Sequence, residues 1–256
     1  MRVTPAVLSS LSLSVGASLA FSAASSASAG FVGFYVTAYN AYSDGLDLTV
    51  YTLTARFDGD SDTVFRALNL NTSYSPWLVD FWHKDNATMD LSGSPISQTD
   101  GTWDPTRTGS NTLNRPFDSY LTIGGIASSG NSTRAASNDL GSSQLLDSSW
   151  GGSMLPSTGF SWRTSNDSAQ GRVGNSAGVL GTDVRLGQFV LSTGHAARTY
   201  SLSILYNGGE DLAIDESNGT LATGTFTLGG DAVPAPGAMS LLAVAGLAAR
   251  RDRRRR

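Results

Sequence analysis

Short runs of β-branched and aromatic residues, separated by Gly, Ser, Asn and Asp, fill the chain between about residues 31 and 231. Runs of this kind, bounded by turn-forming residues, are typical of β-strands. In 200–206, every second residue from Tyr200 to Tyr206 is apolar or aromatic, which predicts a half-buried antiparallel strand. Further strands are predicted over 31–39, 46–57, 63–70, 119–123, 184–191 and 221–228.

Segment 46–57 changes its apolar phase halfway along. Its apolar residues occupy even positions up to Val50 and odd positions from Tyr51 onward. A shift by one residue moves side chains to the other face of a sheet, as a β-bulge or a strand crossing does. The Asp/Gly-rich segment 58–62 reads as a turn into strand 63–70, so we expect 46–70 to form a hairpin.

The strand count predicts an all-β domain over residues 30–228, with seven to nine strands expected. An antiparallel β-sandwich, of jelly-roll or cohesin-like type, is the architecture that such a chain favours. Two long polar stretches, 84–116 and 127–183, are expected to be loops with short strands inside, and loops of that length are often functional. Residues 229–232 are predicted to be a linker.

The first 29 residues have the pattern of a secretory signal peptide. Arg2 supplies the positive charge, an apolar region spans 7–21, and Ala27-Ser28-Ala29 is a small-residue cleavage site. The mature chain would begin at Gly30 after export by the Sec machinery. The alternative is an amphipathic first helix.

The last 24 residues combine three features. Val233, Pro234, Ala235 and Pro236 precede the uncharged segment 237–249, which is predicted to be a short hydrophobic helix of roughly 20 Å, less than a bilayer core. Six arginines then follow in the last seven residues: Arg250, Arg251, Arg253, Arg254, Arg255 and Arg256. Basic residues hold such an end on the cytoplasmic side. The alternatives are a permanent anchor and a nucleic-acid-binding tail.

This tripartite end resembles the PEP-CTERM sorting signal. The family places Glu between the two prolines, where this chain has Ala235. The resemblance implies transient membrane retention and removal of the tail by an exosortase-like processing enzyme. Four short segments, 51–58, 118–125, 187–190 and 224–228, also resemble exported planctomycete-type proteins with this tail, for which no activity carries over to residues here.

Composition narrows the function further. The chain has 256 residues and no cysteine, which excludes disulfides, thiol catalysis and zinc–thiolate sites. When Arg2, the six tail arginines and Asp252 are set aside, residues 30–249 keep 10 basic and 20 acidic residues. An acidic domain of this kind argues against nucleic acid as a partner.

Two candidate binding sites emerge. Asp58, Asp60 and Asp62 have the spacing of oxygen ligands for Ca²⁺, although the loop is not an EF-hand and a solvated turn is the alternative. Trp103, Trp150 and Trp162 lie in the polar stretches, where exposed rings would stack on sugars of an extracellular polysaccharide. The alternative is that these rings pack the loops onto the domain. No other cofactor is expected.

Catalytic patterns are weak. His83 and His195 lie far apart and have no metal-ligand spacing, which favours two loop or strand-end histidines. Residues 174–178 match G-x-S-x-G, but no helix is predicted after them. We therefore predict a non-enzymatic protein of the cell envelope or extracellular matrix with a structural or adhesive role. A carbohydrate-binding module is the alternative, and an enzyme is the least favoured.

Overall fold

The structure, a computed structural model, describes residues 30–72, 80–85, 95–106, 117–128, 130–136, 143–144, 161–164, 169–176, 179–208 and 219–230. Within these ranges the regular structure is β, apart from one 3-10 turn at Ala169–Gly171. No helix in the described part of the chain has the length and apolar character needed to cross a membrane. The predicted signal peptide and hydrophobic helix lie outside it.

The described residues contain ten strands in two antiparallel sheets. The strands are β1 (Phe31–Ser43), β2 (Leu46–Phe57), β3 (Thr63–Thr72), β4 (Tyr120–Leu121), β5 (Thr133–Ala136), β6 (Ser143–Gln144), β7 (Ser161–Thr164), β8 (Asp183–Ser192), β9 (Arg198–Asn207) and β10 (Thr220–Leu228). Sheet A has the order β1-β2-β8-β4, and sheet B has the order β10-β9-β3-β7-β5-β6. The all-β prediction is confirmed, and the arrangement is consistent with a β-sandwich.

The main core draws side chains from both sheets. Leu53 and Phe189 come from sheet A, while Ile204 and Phe226 come from sheet B. Trp162 is fully buried among them, and its indole Nε1 donates a hydrogen bond of 2.9 Å to the carbonyl of Thr122. A buried indole needs such a partner, because an unsatisfied donor would cost about 1–3 kcal/mol.

The phase change in β2 has a different cause from the one predicted. The register between β1 and β2 runs without a break from Gly33–Arg56 to Ser43–Leu46. The odd positions of the second half enter the main core, whereas Leu48 and Val50 join Val190 in a small second core that Trp82, Ile96 and Phe117 cover. The ladder between β2 and β8 is also regular at this point and shifts only between Leu53 and Thr54, so the prediction that a bulge or crossing causes the phase change after Val50 is wrong. The two halves of β2 bury opposite faces of one sheet.

The predicted hairpin over 46–70 is also wrong. Strand β2 lies between β1 and β8 in sheet A, and β3 lies between β9 and β7 in sheet B. Residues 58–62 therefore carry the chain from one sheet to the other. An Asp/Gly-rich connection suits either path, because turn residues fix the local conformation but not the sheet that the next strand joins.

Candidate functional site

Two of the three predicted sugar-stacking tryptophans, Trp103 and Trp162, do not present their rings to solvent. Trp103 and Trp162 are 0% exposed. The ring of Trp103 packs edge-on against Phe81, with 5.3 Å between the ring centroids. A polysaccharide cannot stack on a buried indole, so this prediction is wrong for both residues. Trp150 lies outside the described residues.

The predicted calcium turn does not present three ligands together. Asp58 and Asp60 are exposed, whereas Asp62 is fully buried. Asp58 Oδ1 accepts a hydrogen bond of 2.5 Å from the amide of Gly30. The ligand group that does converge in the described part of the chain is a different one. The turn at 58–62 therefore lacks the geometric basis for the predicted calcium site.

The cleavage residues Ala27 and Ala29, the motif 233–236 and the arginines of 250–256 lie outside the described residues.

Three buried side chains, His83, Asp85 and Asp118, form the converging group. One ligand atom from each lies within 4.8 Å of the others. The three residues are 0%, 1% and 2% exposed. We call this group the His–Asp–Asp cluster.

An extended segment places two of these residues side by side. In 80–85, Phe81, His83 and Asp85 are buried while the intervening Trp82 and Lys84 are half-buried, the alternation of a strand. Two backbone hydrogen bonds of 2.8 Å pair residue 83 with residue 97, and the amide of residue 82 donates to the carbonyl of residue 190 at 2.8 Å. The segment thus continues the edge of sheet A.

Strand β4 brings the third member. Asp118 lies two residues before β4, and its carbonyl accepts a hydrogen bond of 2.7 Å from Gln188 Nε2. Its carboxylate Oδ1 accepts a hydrogen bond of 3.0 Å from the amide of Lys84. The pairing of β4 with β8 therefore fixes Asp118 against the segment that carries His83 and Asp85.

The loop at 101–102 orients the carboxylate of Asp85. The amide of Thr102 donates to Oδ1 at 2.8 Å, and its hydroxyl donates to Oδ2 at 2.5 Å. Gly101 permits this approach, since a Cβ there would lie 2.3 Å from His83 Cβ. No larger residue fits at position 101 without displacing the cluster.

The cluster brings two carboxylates close to one imidazole in a buried space. Burial, and then the neighbouring Asp118, raise the pKa of Asp85 to about 7, while the hydrogen bonds of Thr102 and the nearby His83 act in the opposite direction. His83 Nδ1 lies 3.6 Å from Asp118 Oδ1. Two carboxylates and one imidazole share a space that water scarcely reaches, and buried charges of this kind are normally paired or bound to a metal.

The ammonium of Lys84, the one lysine of the chain, binds elsewhere. Its Nζ donates to Ser43 Oγ at 3.0 Å and lies 3.2 Å from Asp44 Oδ2. The hydrogen bond from Lys84 to Asp44, together with one from the amide of Ile96, lowers the pKa of Asp44. The lysine thus ties the β1–β2 turn to the loops that cover sheet A.

A second candidate surface lies on the outer face of sheet A. Tyr35 and Tyr39 lie on the same face of β1, four residues apart, and are 39% and 50% exposed. They share this face with Arg56, whose guanidinium carbon lies 3.8 Å from the centre of the Tyr35 ring. Tyrosine and arginine are enriched where proteins bind partners.

Sequence reasoning missed the His–Asp–Asp cluster. His83 and His195 were interpreted as isolated, and Asp118 lies 33 positions beyond Asp85. One local signal was present, because His83 and Asp85 continue the buried alternation that starts at Phe81. His195 lies elsewhere, with Nε2 3.4 Å from Asp80 Oδ2.

No family model, no curated protein and no solved structure matches this chain.

Proposed function

We propose that this chain is an exported, non-enzymatic β-sandwich of jelly-roll or cohesin-like type with a structural or adhesive role in the cell envelope or extracellular matrix. The Sec machinery exports it, and an exosortase-like enzyme reads Val233–Pro236 and the basic tail. The observation that carries the proposal is the contact of Gly30, the residue that follows the predicted cleavage site, with Asp58.

The contacts of Gly30 suit a mature N-terminus. Its nitrogen lies 2.5 Å from Asp58 Oδ1, and its carbonyl accepts a hydrogen bond of 3.1 Å from the amide of Asp58. Cleavage after Ala29 would turn that nitrogen into an α-ammonium, and the hydrogen bond would become a charge-assisted ion pair. Removal of the signal peptide would thus leave the contact in place and strengthen it.

The C-terminal end supports the same proposal from the other side. Strand β10 ends at Leu228, five residues before Val233, so the processing motif lies close to the end of the folded domain. A cut near the prolines would remove the apolar segment and the arginines and spare every strand. The acidic domain, which carries twice as many acidic as basic residues over 30–249, would then be released with its fold intact.

The test is to determine both ends of the protein by intact mass and terminal sequencing, using the envelope and medium of the organism that makes it. We expect a chain that begins at Gly30 and has lost the arginine-rich end. Ala29→Leu should block the first cut, while Ala24→Leu, in the same segment but away from the cleavage site, should not. Full-length protein in the cytosolic fraction would overturn the proposal.

The alternative function is carbohydrate binding, and its support now comes from Tyr35 and Tyr39 instead of the tryptophans. Both rings lie on one exposed face beside polar side chains, which is the surface that sugar stacking requires. Tyr39→Ala should weaken retention of the processed protein on the organism's own exopolysaccharide. Tyr42→Ala is the matched control, because Tyr42 lies on the same strand at 67% exposure but in the opposite phase. Equal effects of the two changes would exclude this surface.

A further inference from the structure

We infer that the His–Asp–Asp cluster is a metal site, and that His83, Asp85 and Asp118 bind one divalent first-row transition metal ion of the Zn²⁺ type. The inference is independent of export and of any adhesive role. It rests on the placement of three donor groups, one imidazole and two carboxylates, in one buried space.

The donor set selects the class of metal. An imidazole nitrogen with two carboxylate oxygens suits Zn²⁺ and its first-row neighbours, whereas Ca²⁺ takes six to eight oxygen ligands. The donor atoms lie within 4.8 Å of one another. Ligands at about 2.0–2.2 Å from a zinc ion come closer together than that. A small inward movement of the three side chains would therefore complete their part of the coordination.

The surroundings hold the ligands as a metal site requires. Two donors from Thr102 fix both oxygens of Asp85, and the amide of Lys84 fixes one oxygen of Asp118. Partners of this kind orient ligating carboxylates, and their loss typically lowers metal affinity 10–100-fold. The ring of Trp103 stands edge-on to His83, with 4.8 Å between the ring centroids, and restricts the orientation of the imidazole.

Burial defines the kind of site. With exposures of 0–2%, the three residues offer no open face to a substrate. A metal here would join the extended segment 80–85 to the residue that leads into β4, and would brace the edge of sheet A. The site is therefore a structural one, and its occupation should stabilise the folded state through preferential binding.

The first experiment measures metal content and stability of the full-length protein. After treatment with a chelator, the protein is titrated with Zn²⁺, Mn²⁺ and Ca²⁺, and bound metal is counted by mass spectrometry while unfolding is followed by calorimetry. We expect one Zn²⁺ per chain and a melting temperature that rises with the free Zn²⁺ concentration, with no comparable effect of Ca²⁺. Folded protein that takes up no stoichiometric Zn²⁺ would overturn the inference.

Variants locate the site. Asp85→Asn and Asp118→Asn keep the side-chain shape and should each weaken Zn²⁺ binding at least 10-fold. Asp104→Asn is the matched control. Asp104 is buried in the loop that carries Thr102, but its Oδ1 accepts hydrogen bonds from Thr106 and not from Thr102. Binding that survives in both cluster variants, or that is lost equally in the control, would place the metal elsewhere and contradict the inference.

A spectroscopic measurement distinguishes the loss of a metal ligand from the loss of the fold. Co²⁺ bound to the wild-type protein should give visible absorption typical of mixed nitrogen and oxygen ligands, and His83→Gln should remove it. Far-ultraviolet circular dichroism of metal-free His83→Gln checks that the sheets remain. An unchanged Co²⁺ spectrum in a folded His83→Gln variant would exclude His83 as a ligand and overturn the site.

Discussion

In the described part of the chain, buried carboxylates lie at two places along sheet A, and different kinds of groups contact them. Asp183, at the start of β8, is 3% exposed and receives Arg56 in a two-pronged ion pair with donor–acceptor distances of 2.7 and 3.0 Å. The hydroxyl of Thr54 adds a third hydrogen bond of 3.1 Å. At the other place, Asp85 and Asp118 face one imidazole. The carboxylate of Asp183 is bound by a cation, whereas the hydrogen bonds from Thr102 and Lys84 to Asp85 and Asp118 come from amide and hydroxyl groups.

The difference lies in the charge of the groups that contact the carboxylates. The guanidinium fork satisfies both oxygens of Asp183, and the bond with Asp183 raises the pKa of Arg56, so Arg56 stays charged. In the His–Asp–Asp cluster, the amide and hydroxyl of Thr102 and the amide of Lys84 orient the carboxylates instead. A divalent cation bound there, as inferred above, would add positive charge to the cluster.

The largest expected effect comes from breaking the compensated pair. Arg56→Met leaves Asp183 buried without its cation, and we expect a loss of about 3 kcal/mol in the free energy of unfolding. Arg56→Lys keeps the charge but not the fork, and should lose less. Urea denaturation at neutral pH measures both. A negligible loss in Arg56→Met would show that the two places do not differ in the way described.

A smaller effect is expected from pH in metal-free protein. The raised pKa of Asp85, about 7 in the folded chain against 3.8 in the unfolded one, means that the folded state binds more protons between these values. Stability therefore falls as the pH rises from about 4 to about 7. We expect a fall of about 2 kcal/mol in the free energy of unfolding over this range. Stability that rises over this range in the presence of chelator would contradict the prediction.

Neutralising one carboxylate of the cluster should raise the free energy of unfolding, whereas Arg56→Met should lower it. Asp85→Asn removes like-charge repulsion from the metal-free protein, while its amide can still bond Thr102. We expect a gain of about 1 kcal/mol at pH 7 in chelator, after the loss of one charge-assisted hydrogen bond is counted. The same variant should flatten the pH dependence. A loss as large as that of Arg56→Met would mean that the cluster is already compensated.

The smallest effect concerns an exposed carboxylate. In the processed protein, Asp58→Asn weakens the contact with the nitrogen of Gly30 and should lower the melting temperature by about 1 °C. Asp60→Asn, an equally exposed change two residues away, should leave it unaltered. Identical melting curves for the two variants would show that Asp58 does not hold the mature N-terminus.

Local patterns predicted the strands well and their partners poorly. Segment 46–57 forms β2 as predicted, and β9 extends the predicted 200–206 by a few residues, because alternation depends only on which face of a strand is buried. The path after Phe57 depends on which sheet has room for the next strand, and no residue in 58–62 encodes that. The second core behind Val50 requires loops from 80–82, 96 and 117, far away in the sequence.

The candidate site shows the same limit. His83 and Asp85 could have been grouped from their alternation with Phe81, but Asp118 reaches them only because β4 pairs with β8. The tryptophans of the polar stretches were ambiguous for a related reason. Polar neighbours in sequence do not tell whether a ring points outward, and Trp103 and Trp162 point into the core.

Strand β10 has a mechanical consequence for a protein held by its tail. Among the described strands it is at the edge of sheet B and pairs with β9 alone, and it is the last of them before the tail. Gly229 and Gly230, both at positive φ, fold the chain back so that the amide of Gly230 bonds the carbonyl of His195 at 2.6 Å. Tension on the tail would therefore act at the Leu228–Arg198 end of the ladder and open it one residue pair at a time. The domain would yield first by peeling away β10, and the uncovered edge of β9 would then be available to a strand from another chain.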